Sequence, residues 1–295
     1  MKNMSMKAIN VKRPSWKETL KENAPLLLPV AHDALTARLI EIAGFKAFQV
    51  GGFAMVASMH AVPDVDLEHF GEKSNRVYDI IGASSLPVMI DADDGYGDVK
   101  NVTRTVLEYL RMGVSALFIE DQQPPKKCGH MSGKKVIPPE EMVNKIKAAD
   151  SVRNDKDFFI LARTDAIAPE GLDKALERAE KYLKAGADGV YLEGVENEKQ
   201  IKKIGETFKG VPLATSVLER GGETPWLSPK EFGELGYSMI LYPTTVLFQY
   251  TYAVQKALGN LLKEKPMPKD SSVTMKEFEK IVDMQYWAKI EKEFS

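Results

Sequence analysis

The chain has 295 residues, 44% hydrophobic and 28% charged, a balance that carries a full core and excludes wholesale disorder. Lys and Arg total 40 against 42 Asp and Glu, a net charge of −2, so no global field draws the chain to nucleic acid or to an anionic membrane. The single Cys excludes an intrachain disulfide and fits a reducing cytoplasm. The start lacks a signal peptide's apolar core, and no apolar run approaches the roughly 18 residues of a membrane span, so a cytoplasmic protein is expected.

Short apolar, β-rich runs recur along the chain, each followed by an amphipathic stretch. "PLLLPVA" precedes "DALTARLIEIAG", "KAFQVGG" precedes, after a longer connection, "SNRVYDIIGASS", and "LPVMIDADDGYG" precedes "NVTRTVLEYLRMG". Then come "SALFIEDQ" with "PPEEMVNKIKAAD", "FFILARTDA" with "GLDKALERAEKYLKAG", and "GVYLEGV" with "NEKQIKKIGETFKG". "VPLATSV" with "SPKEFGELG" and "SMILYPTT" with "LFQYTYAVQKALGNLLKEK" complete eight strand–helix pairs. In the fifth helix Leu172, Ala175, Leu176, Ala179 and Leu183 share one face and Gly186 supplies a stop. Strands that are apolar throughout belong to a parallel sheet buried on both faces. Eight such units predict an α/β fold of the (β/α)8 TIM barrel type, with an open doubly wound sheet as the alternative. The expected organisation is one barrel domain over 1–295. A linker over 263–274 breaks the pattern, and a C-terminal helix over 275–294 has an apolar face, including Phe278, Val282, Met284 and Trp287, that must dock on the barrel or on a second subunit.

Barrel enzymes build their sites at the C-terminal strand ends, so polar residues there carry most weight. Strand three ends in Asp91, Asp93 and Asp94, strand four in Glu120 and Asp121, and strand five in Arg163, Thr164 and Asp165. Strand six ends in Glu193 and strand seven in Thr215 and Ser216. Carboxylates gathered in a concave site need a cation, and Mg²⁺, with Mn²⁺ as its substitute, is the natural one for oxygen donors. Residues two apart at a strand end point to one side, so Asp91 and Asp93 are expected to face one ion. Asp94 and Asp98 fit a solvated turn with Gly95 and Gly97. Arg163 offers a two-pronged clamp for a substrate carboxylate, or an ion pair with Asp165 or Glu193. The lone Cys128 lies on the connection after strand four, in "QQPPKKCGHMSGKK". Lys127 and His130 flank it, and cationic neighbours make a thiol available for proton transfer. Cys128, Lys127 and His130 are therefore the candidate catalytic set, with Gly129 and Gly133 giving the loop freedom to close.

"KKCGH", "DADDGYGD" and "ARTDA" together resemble the isocitrate lyase and phosphoenolpyruvate mutase superfamily, most of all its branch around 2-methylisocitrate lyase and 2,3-dimethylmalate lyase. The resemblance implies a Mg²⁺-dependent carbon–carbon lyase acting on a small-molecule carboxylate. It implies a barrel whose last helix is swapped within a dimer, in a homotetramer formed as a dimer of dimers. Asp91 and Asp93 match the metal site, Glu120 its water-mediated support, Cys128 the thiol of a gating loop, and Gly129, Arg163 and Glu193 substrate contacts. Gly51, Gly52 and Ser216 join them as candidate substrate-binding positions. Where 2-methylisocitrate lyases carry a Tyr followed by Ser-Gly-Gly after strand two, this chain has Gln49 followed by Gly51, Gly52 and Phe53. Thr215 and Ser216 stand where an Asn is expected, and Phe248 where an Arg is, which argues for a smaller, malate-type substrate over a tricarboxylate. Oxaloacetate hydrolysis and phosphonate mutase or isomerase chemistry are the alternatives, a non-enzymatic barrel the remote one.

Overall fold

Each of the eight apolar runs folds as a short strand: β1 (Leu26–Pro29), β2 (Phe48–Val50), β3 (Val88–Asp91), β4 (Ala116–Glu120), β5 (Phe159–Thr164), β6 (Gly189–Leu192), β7 (Leu213–Ser216) and β8 (Met239–Tyr242). The computed structural model describes residues 12–295 apart from 130, 155, 156, 220, 221 and 223. The strands run parallel in the order β1-β8-β7-β6-β5-β4-β3-β2. A parallel bridge from Val30 to Gln49 brings the two ends together, so the sheet is a nearly closed barrel and not an open doubly wound one.

Strand alternation decides what points inward. Leu26, Leu28, Met89, Ala116, Phe118, Phe159, Leu161, Tyr191, Ala214, Met239 and Leu241 fill the interior, while their neighbours Ile90, Leu117, Ile119, Ile160 and Ala162 face the surrounding helices. Continuing the inward set by two residues along each strand reaches Asp91, Glu120, Arg163, Glu193 and Ser216. Polar side chains thus form the last layer at the C-terminal rim because the sequence turns from apolar to polar at those positions.

The helices are α1 (Trp16–Asn23), α2 (Ala34–Ile42), α3 (Gly52–His60), α4 (Phe70–Gly82), α5 (Val99–Arg111), α6 (Pro139–Val152), α7 (Ile167–Glu170) and α8 (Leu172–Lys184). Then follow α9 (Glu198–Thr207), α10 (Pro229–Glu234), α11 (Thr245–Leu262), α12 (Met275–Ile281) and α13 (Met284–Phe294). α8 buries Ala175, Leu176 and Ala179 as its spacing predicts, with Leu172 and Leu183 packed beside them. Besides the one-turn α7, two helices lie where sequence periodicity is too short to register. α3 occupies the long connection after β2, and α1 closes the N-terminal end of the barrel by sinking Trp16, fully buried, against Phe159 at a centroid distance of 6.2 Å.

The C-terminal segment differs from its expected form. The segment 263–274 lies between α11 and α12, and the helix expected over 275–294 is two helices, broken at Val282 and Asp283, the latter left-handed with φ 55°. Within the chain its apolar face is only partly covered: Ile281 is half-buried and its carbonyl accepts from Arg38 Nη1 at 3.2 Å, but Phe278, Val282, Met284 and Trp287 are exposed, as are Tyr252, Leu258, Leu261 and Leu262 on α11. Among the described residues no helix is long and apolar enough to cross a membrane.

Candidate active site

A cavity opens at the C-terminal rim, above the apolar layer of Phe118, Tyr191 and Leu241. Of the expected residues, Gly51, Gly52, Asp91, Glu120, Lys127, Cys128, Gly129, Arg163, Glu193 and Ser216 all line it. Asp93 borders it through its contact at Gly52, and His130 lies outside the described residues.

Asp91 ends β3, its Oδ2 accepting from Gly52 N at 3.1 Å and its Oδ1 from Asp93 N at 3.0 Å. Asp93 reaches the same place by a route other than strand alternation. The strand has ended, and a left-handed residue, φ 48°, turns its side chain back; Asp tolerates that region better than most residues. A Cβ at Gly52 would lie 3.2 Å from Asp91 Oδ2 and 3.4 Å from Asp93 Oδ1, so the two carboxylates converge beside this glycine. Burial, then the Asp93 charge, pushes the Asp91 carboxyl above its ordinary range. Burial also works against ionised Asp93, but Lys126 and Lys73 outweigh it and hold its carboxyl well below the usual range. Lys126 Nζ lies 2.5 Å from Asp93 Oδ1 and 2.7 Å from Asp64 Oδ1. Asp94 departs from the solvated turn expected for it: it is buried, and Lys145 on α6 bonds its carbonyl at 2.8 Å and approaches its carboxylate at 3.4 Å.

Glu120 and Arg163 are register partners on β4 and β5, so their side chains are neighbours, 3.3 Å apart. Burial drives the Glu120 carboxyl well above its ordinary value, and its Oε1 has no hydrogen-bond partner among the described residues. The Nε and Nη2 of Arg163 donate to Asp165 at 2.8 and 3.0 Å. That edge of the fork is therefore taken by the protein itself, in the ion pair expected as the alternative to a substrate clamp. Glu193 accepts from the Tyr191 hydroxyl and from Ser216 Oγ at 3.3 Å, which joins β6 to β7 across the rim.

The cysteine loop is held at its base by a bridge from Gln122 to Val136 and by the Gln122 side chain, which bonds both backbone groups of Lys127 at 2.8 and 3.0 Å. Cys128 N donates to Asp64 O at 3.2 Å, placing the half-buried thiol residue over the cavity. Its lysines divide in a way that the sequence does not announce. Lys127 turns outward to Ser132 O at 3.4 Å, whereas Lys126 and Lys134 are buried. Lys134 bonds the Gly129 carbonyl and, at 3.0 Å, Asp165, tying the loop to β5. Gly129 serves closeness more than freedom: a Cβ there would lie 2.2 Å from Arg163 Nη2. Asp165 is the ion-pair partner expected for Arg163, but the sequence assigns no role to Lys73, Lys126, Lys134 or Asp64. Their position in a crowded acidic and basic run gave no sign of which would turn inward.

The oxygen donors fit a hard divalent cation, which takes one or two carboxylates and keeps water in its other positions. Among the described residues there is no cluster of three or more His, Cys, Asp or Glu side chains poised on one point. Such a cation would have to be held by the Asp91 and Asp93 pair, with the Glu120 oxygen that has no partner among the described residues behind it.

Comparison with known proteins finds relatives over most of the chain. The family model described as phosphoenolpyruvate phosphomutase matches residues 17–262. The 2,3-dimethylmalate lyase of Eubacterium barkeri is 40% identical over 282 residues, covering 95% of this chain and 96% of that protein. The structure of oxaloacetate acetylhydrolase in complex with the inhibitor 3,3-difluorooxalacetate superposes with a TM-score of 0.90 at 26% identity, covering 96% of this chain and 97% of that one. Phosphonopyruvate hydrolase in complex with oxalate and Mg²⁺ superposes with a TM-score of 0.86 at 26% identity, covering 96% and 99%. The chain is an enzyme with carbon–carbon lyase-type activity, and a divalent metal is the cofactor that its kinship implies. An eight-stranded parallel barrel with this rim, matched over most of its length, belongs to the phosphoenolpyruvate mutase and isocitrate lyase superfamily.

Proposed function

We propose that the site breaks the carbon–carbon bond next to the oxygen-bearing carbon of a short dicarboxylate, with Mg²⁺, or Mn²⁺ in its stead, held by Asp91 and Asp93 and supported by Glu120. The observation that carries this is the convergence of Asp91 Oδ2 and Asp93 Oδ1 beside Gly52, in a cavity that also takes in Cys128. When bound there, the cation supplies Lewis-acid stabilisation to an oxygen on which negative charge develops. The substrate's hydroxyl or hydrate O–H gives its proton to a base in the site, which later returns a proton to the Cys128 thiolate; C2=O forms, and the pair of electrons from the C2–C3 bond leaves with the other fragment as its enolate. Cys128 delivers its thiol proton to that carbon. Arg163 and Lys126 balance the substrate carboxylates, while Gly51, Gly52 and Gly129 let the backbone approach closely. Glu193 and Ser216 hold the opposite wall, and Lys127 and His130, which flank the thiol in the sequence, are assigned its tuning.

Two substrates fit this chemistry. Hydrolysis of oxaloacetate through its hydrate, giving oxalate and acetate, has the broader structural support: the inhibitor in the oxaloacetate acetylhydrolase structure is an oxaloacetate analogue, and Gln49, Glu193 and Ser216 offer polar partners to a second oxygen on C2. Cleavage of a 2,3-dimethylmalate-type substrate to a 2-oxo acid is supported by the 40% identity to the lyase with that name. Incubation with Mg²⁺ and oxaloacetate, 2,3-dimethylmalate, 2-methylisocitrate, isocitrate or phosphonopyruvate, with products identified by mass, separates the two. Carbon–carbon cleavage that persists in EDTA, or no cleavage of any of the carboxylates, would overturn the proposal.

The same reading extends to assembly. The apolar residues exposed on α11, α12 and α13 support a helix swap into a second copy, in a dimer of dimers.

A further inference from the structure

Lys73 enters the cradle from α4, an element that carries none of the residues marked by sequence. Its side chain is 2% exposed and its ammonium bonds Asp93 Oδ2. The Tyr96 ring centroid lies 5.7 Å from the nitrogen. A Cβ at Gly52 would lie 3.6 Å from Lys73 Nζ as well as 3.2 Å from Asp91 Oδ2 and 3.4 Å from Asp93 Oδ1, so a fixed positive charge shares the point on which the carboxylates converge. Lys126 divides its charge between Asp93 and Asp64, at 2.5 and 2.7 Å, whereas Lys73 is directed at Asp93.

We infer that Lys73 is a charge-setting and positioning residue of the candidate metal site: its ammonium orients Asp93 and lowers the affinity for a divalent cation, which keeps that cation exchangeable. The inference rests on Asp91 and Asp93 being the cation's ligands. A unit charge a few ångströms away, in a site shielded from water, changes the energy of a bound ion by far more than the same charge at the surface. Two carboxylates facing one ammonium thus attract a divalent ion less than the same pair alone. Methionine matches lysine closely in length and apolar volume, so Lys73→Met removes the charge with little loss of packing.

The test is direct binding of Mn²⁺, followed by the loss of its free electron paramagnetic resonance signal, for the wild type, Lys73→Met, Lys73→Gln and Lys73→Arg. The two neutral variants are expected to bind about tenfold more tightly or better, and the arginine variant to stay close to the wild type. Mn²⁺ should also raise the melting temperature of the neutral variants more than that of the wild type. Equal or weaker binding in the neutral variants overturns the role of Lys73, and if Lys73→Met does not fold, Lys73→Gln decides. The ligand assignment fails separately: wild-type binding that is absent, or unchanged by Asp91→Asn, rejects it whatever Lys73 does.

Discussion

At the scale of single residues, position at the rim divides side chains that look alike in sequence. Cys128 and its flanking lysines read as one basic patch, yet the thiol residue and Lys127 remain partly exposed and Lys135 exposed, while Lys126 and Lys134 are consumed by carboxylates. Cys128→Ser should lower turnover by about 10²- to 10⁴-fold, the span of general acid catalysis, with the circular dichroism spectrum and Mn²⁺ affinity unchanged. Steady-state kinetics check it, and near-normal turnover would remove the thiol from the chemistry. Asp165 is the anchor on which Arg163 and Lys134 meet. Burial raises its carboxyl, but Arg163 and Lys134 outweigh burial and leave it below its reference value of 3.8. A carboxyl depressed in the folded state stabilises fully above its unfolded pKa, and that contribution is lost as pH falls through the folded one. Asp165→Asn strands two buried cations and should cost about 3–5 kcal/mol at neutral pH. Denaturant titrations should show the two proteins converging in strong acid, and an equal gap at every pH would rule out this origin.

Secondary elements position these residues through register. Glu120 meets Arg163 because β4 and β5 pair at that rung, and each inward side chain at the rim stands two residues above an apolar one. At the opposite end α1 performs the closing role, with Trp16 seated in the barrel interior. Trp16→Ala should destabilise the fold by about 3–5 kcal/mol, measured by urea unfolding, while leaving KM unchanged because the site lies at the other rim. Among the described residues the loop over 122–136 is tied down by two buried lysines, Lys126 to Asp64 and Asp93 and Lys134 to Asp165 just beyond β5. Lys134→Met is therefore expected to speed amide exchange in the second half of the loop, over 129–136, without altering exchange in β4 or β5. Exchange that stays at the wild-type rate would show the tether to be dispensable.

For the whole molecule, the exposed apolar faces of α11 to α13 are the feature that a lone chain leaves unexplained. Phe278 and Trp287 are 39% and 48% exposed. If a second copy covers them, replacing both with Asp should shift the mass seen by light scattering from tetramer towards smaller species. A mass unaffected by the double substitution would reject the swap.

The strands, their order of appearance and the polar strand ends were legible in the chain, because apolar runs buried on both faces and a change from apolar to polar are local properties. "KKCGH" and "DADDGYGD" were legible as a resemblance. Closure of the barrel, the convergence of Asp91 and Asp93 through one left-handed residue, and the inward turn of Lys73, Lys126 and Lys134 were settled only by tertiary structure. A lysine's burial depends on which carboxylate another element brings to it, and the spacing of neighbours along a chain carries no record of that.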